Sequence, residues 1–214
     1  MSKRIARNFQ YFCRKISMLI GLTGKYCAGK NHIAAMLEKR GLPVLDVDKL
    51  GYQALETEKE AIFAHFGKDL QKADGSVDRR LLGQRVFGKP EQLAALEAIV
   101  HPPVNNMINE WAASQKGRCV INAALLHWSV IFHRLDHIIL VTAPFFTRLA
   151  RAHRRDGLSW QAALRRFASQ SAFNSQYLAA NAEIHKVENL GLSGSRRLSN
   201  KLERRLDKIL ERIN

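Results

Sequence analysis

The chain has 214 residues, of which 46% are hydrophobic and 25% charged, and no run of about 18 apolar residues occurs, so one globular domain without a membrane-spanning helix is predicted. Its three cysteines, Cys13, Cys27 and Cys119, are odd in number and widely spaced, which argues against a disulfide framework and indicates a reducing, cytoplasmic location. The net charge of +15 suits either nucleic acid or a small polyanion, and because no known nucleic-acid-binding motif is visible, we expect the small polyanion.

Residues 1–15 carry several basic side chains and no acidic one. The segment is too short, and too polar in its middle, to resemble a signal peptide. We expect a disordered basic extension ahead of a single domain over residues 16–214.

An apolar run over residues 16–23 predicts the first strand, and a glycine-containing loop follows it. The spacing Gly24-x4-Gly29-Lys30 is that of a phosphate-binding loop. Glycines let backbone N–H groups turn inward, the next helix adds its positive N-terminal end, and the lysine reaches the outer phosphates. Asn31 stands where the pattern has a hydroxyl residue that ligates Mg²⁺. The alternative is a turn between a strand and a helix that binds no ligand.

Helical spacing follows the loop and ends near Arg40 and Gly41, a basic last turn with a glycine stop. Residues 43–48 then predict a second strand that ends in two carboxylates, Asp46 and Asp48. A strand, a helix and another strand within about 30 residues form a βαβ unit, which usually belongs to a parallel sheet. This context favours the phosphate-binding loop over the bare turn.

A long helical segment over residues 49–115 separates the second strand from the third. Its pattern predicts a break near Gly67, a new helix from Asp78, and a helix end at His101, which two prolines follow. Since the segment shows no β character, we expect a helical insertion between strands.

Near-continuous apolar runs at residues 117–126 and 136–144 predict the third and fourth strands, and residues 184–187 predict a short fifth strand. Residues 145–178 are predicted to be helical and are rich in arginine, and an apolar stripe over 198–213 predicts the last helix. The predicted fold is therefore an α/β three-layer sandwich with a five-stranded parallel sheet.

These elements and several motifs resemble the dephospho-CoA kinases, a family of P-loop proteins in the group of the nucleoside monophosphate kinases. The resemblance covers roughly residues 18–210. Its most specific part is an Asp-Gly-x-x-x-Arg-Arg string, followed by a leucine-rich turn and a later His-Pro. The matching segments, in chain order, are 21–30, 43–48, 66–67, 73–82, 86–87, 96–102, Arg151, Arg155-Asp156, Gln170 and 187–191.

The resemblance implies ATP-dependent phosphorylation of the ribose 3′-hydroxyl of dephospho-CoA, which gives CoA and ADP in the last step of coenzyme A biosynthesis. It implies ATP and Mg²⁺ as cofactors, and a P-loop NTPase fold in which residues 49–115 bind the acceptor and residues 145–178 form a lid. Three departures leave a P-loop nucleotide-binding protein with weak or no kinase activity as the alternative. Lys25 replaces a glycine, Asn31 a serine or threonine, and Trp128 a glutamate of the family pattern.

For the nucleotide, the resemblance implies that Lys30 contacts the β- and γ-phosphates within a cradle of backbone N–H groups. Asn31 would approach Mg²⁺ through its carbonyl oxygen or hold one of its water ligands. Arg151 and Arg155 would close on the triphosphate as lid residues, and the alternative is a solvated basic face of their helix. The predicted ATP-binding residues are Gly24, Lys25, Tyr26, Cys27, Ala28, Gly29, Lys30, Asn31, His32, Arg151 and Asn189.

For the acceptor, Asp48 is the predicted proton acceptor from the 3′-hydroxyl, because α/β sheets place ligands at the carboxyl ends of their strands. The alternative is that Asp48 caps the next helix. Arg79 and Arg80 would hold phosphates of the acceptor or form a salt bridge with Asp78 or a neighbouring residue. His101 would contact the acceptor or only end its helix. The predicted catalytic residues are Asp48, Lys30 and Arg155, and the predicted acceptor-binding residues are Asp48, Arg79, Arg80 and His101.

Overall fold

The computed structural model describes residues 17–157, 159–168, 181–190 and 196–213. The predicted extension over residues 1–15 and the last part of the predicted lid lie outside the described residues. The chain forms two compact units, one made of Met1–Leu45 together with Ala112–Asn214, and one made of Asp46–Trp111. Among the described helices, none combines the length and the apolar character needed to cross a membrane.

The first unit contains a five-stranded parallel sheet, which confirms the predicted fold class. Its strand order is β2-β3-β1-β4-β5, so that β1 lies in the centre. There Leu22 pairs with Asn122 on one side and with Ile139 on the other. The strands are β1 (Ser17–Gly24), β2 (Val44–Asp46), β3 (Gly117–Asn122), β4 (His137–Thr142) and β5 (Glu183–Glu188).

The α-helices of the described residues alternate with these strands or follow them. They are α1 (Lys30–Glu38), α2 (Val47–Thr57), α3 (Lys59–Phe66), α4 (Arg79–Val86), α5 (Pro90–Ser114), α6 (Phe145–Asp156), α7 (Trp160–Ala168) and α8 (Arg196–Arg212).

Apolar residues of α1 and α8 cover one face of the sheet. Ile20, Leu22 and Val141 are fully buried in one cluster with Leu37 of α1 and Leu206 of α8. Burial of aliphatic side chains on both layers is the main stabilising contribution to this packing.

The opposite face of the sheet is covered by the segment that follows β3. A Cβ added at Gly21 would lie 2.5 Å from Leu126 Cδ2 and 2.8 Å from Leu135 Cδ1, so a larger residue there would require these two leucine side chains to shift. The third strand ends at Asn122, four residues before its predicted end, because the chain turns there and continues into a 3₁₀ helix at Leu126–Trp128.

The second unit has its own apolar core, formed by the fully or nearly fully buried side chains of Ile62, Leu70, Val77 and Leu82 and their neighbours. The prediction that this segment has no β character is wrong at one place, an isolated antiparallel bridge between Gln71 and Val77.

Helix α5 continues through Pro102 and Pro103, so the predicted helix end at His101 is wrong. Each proline removes one backbone hydrogen bond and costs helix stability. The next turns nevertheless bury Val104 and Ile108, and packing of an apolar face outweighs local propensity.

Candidate active site

The loop between β1 and α1 has the turn geometry that an anion-binding loop requires. Gly24 ends β1 so close to β4 that an added Cβ would lie 2.7 Å from the carbonyl oxygen of Val141. The Ala28 N–H donates to the Lys25 carbonyl at 2.9 Å, and Cys27 between them has a φ of 59°. Burial raises the pKa of the Cys27 thiol, which therefore stays protonated at neutral pH.

Gly29 joins this loop to α1 in a conformation that favours glycine. Its φ is 95°, and an added Cβ would lie only 2.2 Å from Asn189 Nδ2. Helix α1 begins at Lys30, and its N-cap residue, Gly29, makes no side-chain cap hydrogen bond. This start of the helix is compatible with the anion site that the sequence predicts.

Three side chains hold the loop by the carbonyl oxygens of residues 26–28. Arg148 Nε donates to the first carbonyl at 2.8 Å, and Arg151 Nη1 donates to the second and third at 3.2 and 3.1 Å. Asn189 Nδ2 donates to the third at 3.0 Å. With these carbonyls held from one side, the loop keeps the open shape in which N–H groups can surround a phosphate.

Arg151 and Asn189, which the sequence predicts as ATP contacts, thus bind the loop backbone in this structure, and Arg151 Nη2 also donates to Asn189 Oδ1 at 3.2 Å. The specific role of Arg148 was missed by sequence reasoning. The available signal was its spacing of three residues from Arg151, which places both on one face of α6. The Arg148 side chain is only 8% exposed, and this burial lowers the pKa of its guanidinium. The guanidinium lies 4.2 Å from the ring centre of Phe167.

Two amides meet beside the helix N-terminus. Asn122 Nδ2 at the end of β3 donates to Asn31 Oδ1 at 3.4 Å. Asn122 is 2% exposed, and no described residue offers a hydrogen bond to its buried Oδ1. Sequence reasoning missed Asn122, although a polar residue that ends an apolar strand was the signal. A buried amide oxygen without a protein donor suits a hydrated cation.

Arg155 lies in a cluster of polar groups at the end of α6. Its Nε and Nη2 donate to the two carboxylate oxygens of Asp156 at 2.8 and 2.9 Å. The Tyr26 hydroxyl donates to the same carboxylate and accepts from Arg166 Nη1 at 3.2 Å. The hydrogen bonds from Arg155 are the main reason why the pKa of Asp156 falls to about 2. To contact a nucleotide, Arg155 would therefore have to break its hydrogen bonds with Asp156 or divide its N–H donors between Asp156 and the nucleotide.

Replacing Asp156 with asparagine is expected to lower the free energy of unfolding by about 1 kcal/mol at pH 7, which is less than the shift alone implies because Arg155 is mostly exposed. A carboxylate whose folded-state pKa is depressed stabilises the protein above its unfolded pKa, 3.8, and loses this effect as the pH falls towards 2. Urea unfolding of both proteins at pH 7 and pH 3 measures the difference, which should shrink at pH 3. A difference that does not depend on pH would contradict this assignment.

The second unit carries Asp48, which is not at the end of a strand as predicted. β2 ends at Asp46, and the Asp46 carboxylate accepts from the N–H groups of Asp48 and Lys49 at 3.1 and 3.4 Å. Helix α2 therefore begins at Val47, with Asp48 exposed in its first turn. The capping role that the sequence left open for Asp48 belongs to Asp46.

The other predicted acceptor residues also lie in the second unit. Asp78 caps α4 by accepting from the N–H groups of Arg80 and Leu81 at 3.0 and 2.9 Å, and no ion pair joins Asp78 to Arg79 or Arg80 among the described residues. The Arg79 guanidinium lies 4.5 Å from the ring centre of Tyr52. His101 is exposed within α5 and does not end it.

Three further positions belong to the loop and its surroundings. Lys25 is half-buried, and His32 is exposed in the first turn of α1. Trp128 belongs to the 3₁₀ helix after β3, and its side chain lies outside the described residues.

Comparisons with known proteins relate this chain to one enzyme family. The family model for dephospho-CoA kinase matches residues 18–190. A dephospho-CoA kinase from Shouchella clausii is 37% identical over 174 residues, which cover 78% of this chain and 88% of that protein. The crystal structure of TT1252 from Thermus thermophilus superposes with a TM-score of 0.77 at 33% identity, covering 94% of this chain and all of that one.

A more distant structural neighbour supports the fold alone. Shikimate kinase from Bacteroides thetaiotaomicron superposes with a TM-score of 0.55 at 17% identity, covering 91% of this chain and 98% of that one. The two chains therefore share a fold. Since the family model spans most of the chain, and a relative of more than 30% identity is nearly covered by it, this protein belongs to the dephospho-CoA kinase family.

Proposed function

We propose that this chain transfers the γ-phosphoryl group of ATP to the ribose 3′-hydroxyl of dephospho-CoA and releases CoA and ADP, the last step of coenzyme A biosynthesis. The observation that carries the proposal is the loop of residues 24–31, whose carbonyls are held by side chains and whose Gly29 begins α1 with a φ of 95°. This loop lies within the segment that matches the family model. We propose a cytoplasmic location, in keeping with the buried free thiols of Cys27 and Cys119.

In this proposal the loop neutralises and orients the triphosphate. The backbone N–H groups of residues 25–31 surround the phosphates, and Lys30 binds the β- and γ-phosphates. Arg148, Arg151 and Asn189 support this site indirectly, because they fix the loop carbonyls. Arg155 would stabilise charge on the transferred group after exchanging its partner Asp156 for a phosphate oxygen.

Mg²⁺ fits the amide pair beside the loop. When bound, it would neutralise charge on the β- and γ-phosphates. Asn31 and Asn122 would hold it through an amide oxygen or through its water ligands, since hard cations prefer oxygen ligands and Mg²⁺ retains several waters. The buried Asn122 Oδ1, for which no described residue offers a donor, supports this placement.

On the acceptor side, we propose that Asp48 takes the proton of the attacking 3′-hydroxyl. Its support is that Asp46, and not Asp48, accepts the capping hydrogen bonds of α2, so the Asp48 carboxylate is not the helix cap. Arg79, Arg80 and His101 would bind the acceptor, since all three carry cationic or polar groups on helices of the second unit.

An ADP-release assay with three acceptor conditions tests the proposed reaction. We expect ADP release to require dephospho-CoA, with little release in the presence of AMP or without an acceptor, and mass spectrometry to show one added phosphoryl group on the 3′ position. Equal release under all three conditions would contradict the proposal. ATP binding without turnover would favour the alternative of a nucleotide-binding protein. The observation that favours this alternative is the amide pair of Asn31 and Asn122, which stands where the family pattern has a hydroxyl ligand for Mg²⁺.

Replacing Asn31 with serine is expected to lower the half-saturating concentration of Mg²⁺ severalfold. The reason is that a P-loop normally binds Mg²⁺ at this position through the hydroxyl group of a short serine or threonine side chain. The measurement is the initial rate as a function of free Mg²⁺ at saturating ATP. The control is the affinity for ATP without Mg²⁺, which should stay within about twofold. An unchanged Mg²⁺ dependence would show that Asn31 does not act on the metal.

A further inference from the structure

A group of metal-ligating side chains lies at the amino ends of β4 and β5. The strand register pairs His137 with Glu183 and Ile139 with His185. His137, Glu183 and His185 therefore project from the same face of the sheet, since residues two apart share a face. The phosphate-binding loop leaves the opposite, carboxyl end of the sheet at Gly24, which pairs with Val141. The cluster is thus separate from the candidate active site.

The three side chains bring one ligand atom each within 4.8 Å of the other two. His137 Nδ1 and His185 Nε2 lie 3.2 Å apart in a hydrogen bond, which an ion bound to both nitrogens would replace. Glu183 Oε2 lies 3.7 Å from the first nitrogen and 3.9 Å from the second. A tetrahedral zinc ion with ligands at about 2.0–2.1 Å separates neighbouring ligand atoms by about 3.3–3.4 Å. The two distances to Glu183 exceed this separation by about 0.3–0.6 Å, which a rotation of the exposed Glu183 side chain can remove.

The electrostatic surroundings both favour and oppose a cation. Burial is the main cause that lowers the pKa of His185. The nearby side chains of His137, Arg212 and Arg205 lower this pKa further. The two arginines belong to α8, whose apolar residues pack on this face of the sheet. They disfavour a cation, whereas the Glu183 carboxylate favours it. Two neutral imidazoles and one carboxylate leave one positive charge on a bound divalent ion, so we expect moderate rather than very tight binding.

We propose that His137, Glu183 and His185 bind one divalent cation of the zinc class, with water in the fourth position. Two imidazole nitrogens and one carboxylate oxygen select zinc and its late transition-metal neighbours over Mg²⁺, which prefers oxygen ligands. The ion would join the edge strand β5 to β4 and so stabilise the sheet edge from which Asn189 extends to the loop.

The test is zinc binding to the full-length protein after dialysis against a chelator. We expect one equivalent of Zn²⁺ to bind by isothermal titration calorimetry, to raise the melting temperature, and to remain bound in millimolar Mg²⁺. Co²⁺ should give the visible absorption of a four- or five-coordinate ion without a sulfur charge-transfer band, because the ligand set contains no cysteine.

Three variants decide whether this cluster is the site. Glu183→Gln and His185→Gln should each weaken zinc binding at least tenfold and abolish the thermal shift. His133→Gln, an exposed histidine outside the cluster, should bind as the unmodified chain does. Glu183 is exposed, so its variant should fold even if the His185 variant does not. Unchanged zinc binding in Glu183→Gln, or displacement of zinc by Mg²⁺, would overturn the proposal.

Discussion

Replacing Asp48 with asparagine is expected to lower kcat for dephospho-CoA phosphorylation by about two to four orders of magnitude, the usual contribution of a positioned general base. The affinity for ATP should change by no more than about twofold, because the nucleotide is proposed to bind the loop of residues 24–31. An amide keeps the size and the hydrogen-bonding oxygen of the carboxylate but cannot accept the proton. The measurements are steady-state kinetics with dephospho-CoA and calorimetric titration with an ATP analogue.

Asp46→Asn is the matched control, because it makes the same chemical change two residues away. Asparagine is as good a helix cap as aspartate, so the cap of α2 and the activity should be retained. Asp46→Ala should instead cost about 1 kcal/mol of folding stability, since the N–H groups of Asp48 and Lys49 lose their acceptor. Full activity of Asp48→Asn, or equal losses in both asparagine variants, would remove Asp48 from the proposed role.

The start of α2 shows why the sequence placed Asp48 only approximately. Residues 43–48 contain apolar residues in a pattern that fits a strand, yet β2 ends at Asp46. The carboxylate of Asp46 reaches the next two N–H groups and starts the helix there. An aspartate is a common helix cap, so either Asp46 or Asp48 could have capped α2. The local sequence pattern does not decide which of two residues so close together is the cap.

The phosphate-binding loop of residues 24–31 could be predicted from the sequence, whereas the side chains that hold its carbonyl groups could not. Glycine spacing after an apolar strand is local information, and the structure has the positive φ at Gly29 that such a loop uses. The contacts of Arg148, Arg151 and Asn189 with the loop depend on how α6 and β5 pack beside it. Such contacts join residues more than a hundred positions apart, and only the fold brings them together.

The same limit applies to the polar pair at Asn31 and Asn122. The sequence identified Asn31 as a departure from the loop pattern, because the comparison there is residue by residue. It offered no reason to connect Asn31 with Asn122, which β3 places next to β1 through its parallel register. Whether amides can replace the hydroxyl group at the proposed Mg²⁺ site therefore depends on two residues. The Asn31→Ser variant changes only one of them.

Replacing Gly29 with alanine is expected to weaken ATP binding by about 100-fold or more. Alanine at a φ of 95° is strained, at a cost of about 1–2 kcal/mol. Its Cβ would also lie 2.2 Å from Asn189 Nδ2, so Asn189 must move and release the Ala28 carbonyl. The loop would then lose the shape that presents its N–H groups to phosphate. Calorimetric titration with an ATP analogue and thermal unfolding measure the two effects.

Gly41→Ala separates backbone strain from the damage to the loop. Gly41 has a φ of 79°, and apart from its two chain neighbours no described residue has an atom within 4 Å of an added Cβ, so this variant has the strain without a collision. It should lose about 1–2 kcal/mol of stability and bind ATP normally. Asn189→Ala should fall between the two, because the Ala28 carbonyl keeps the hydrogen bond from Arg151. If Gly29→Ala and Gly41→Ala bind ATP equally well, the close approach of Asn189 does not shape the nucleotide site, and the support that we assign to it is wrong.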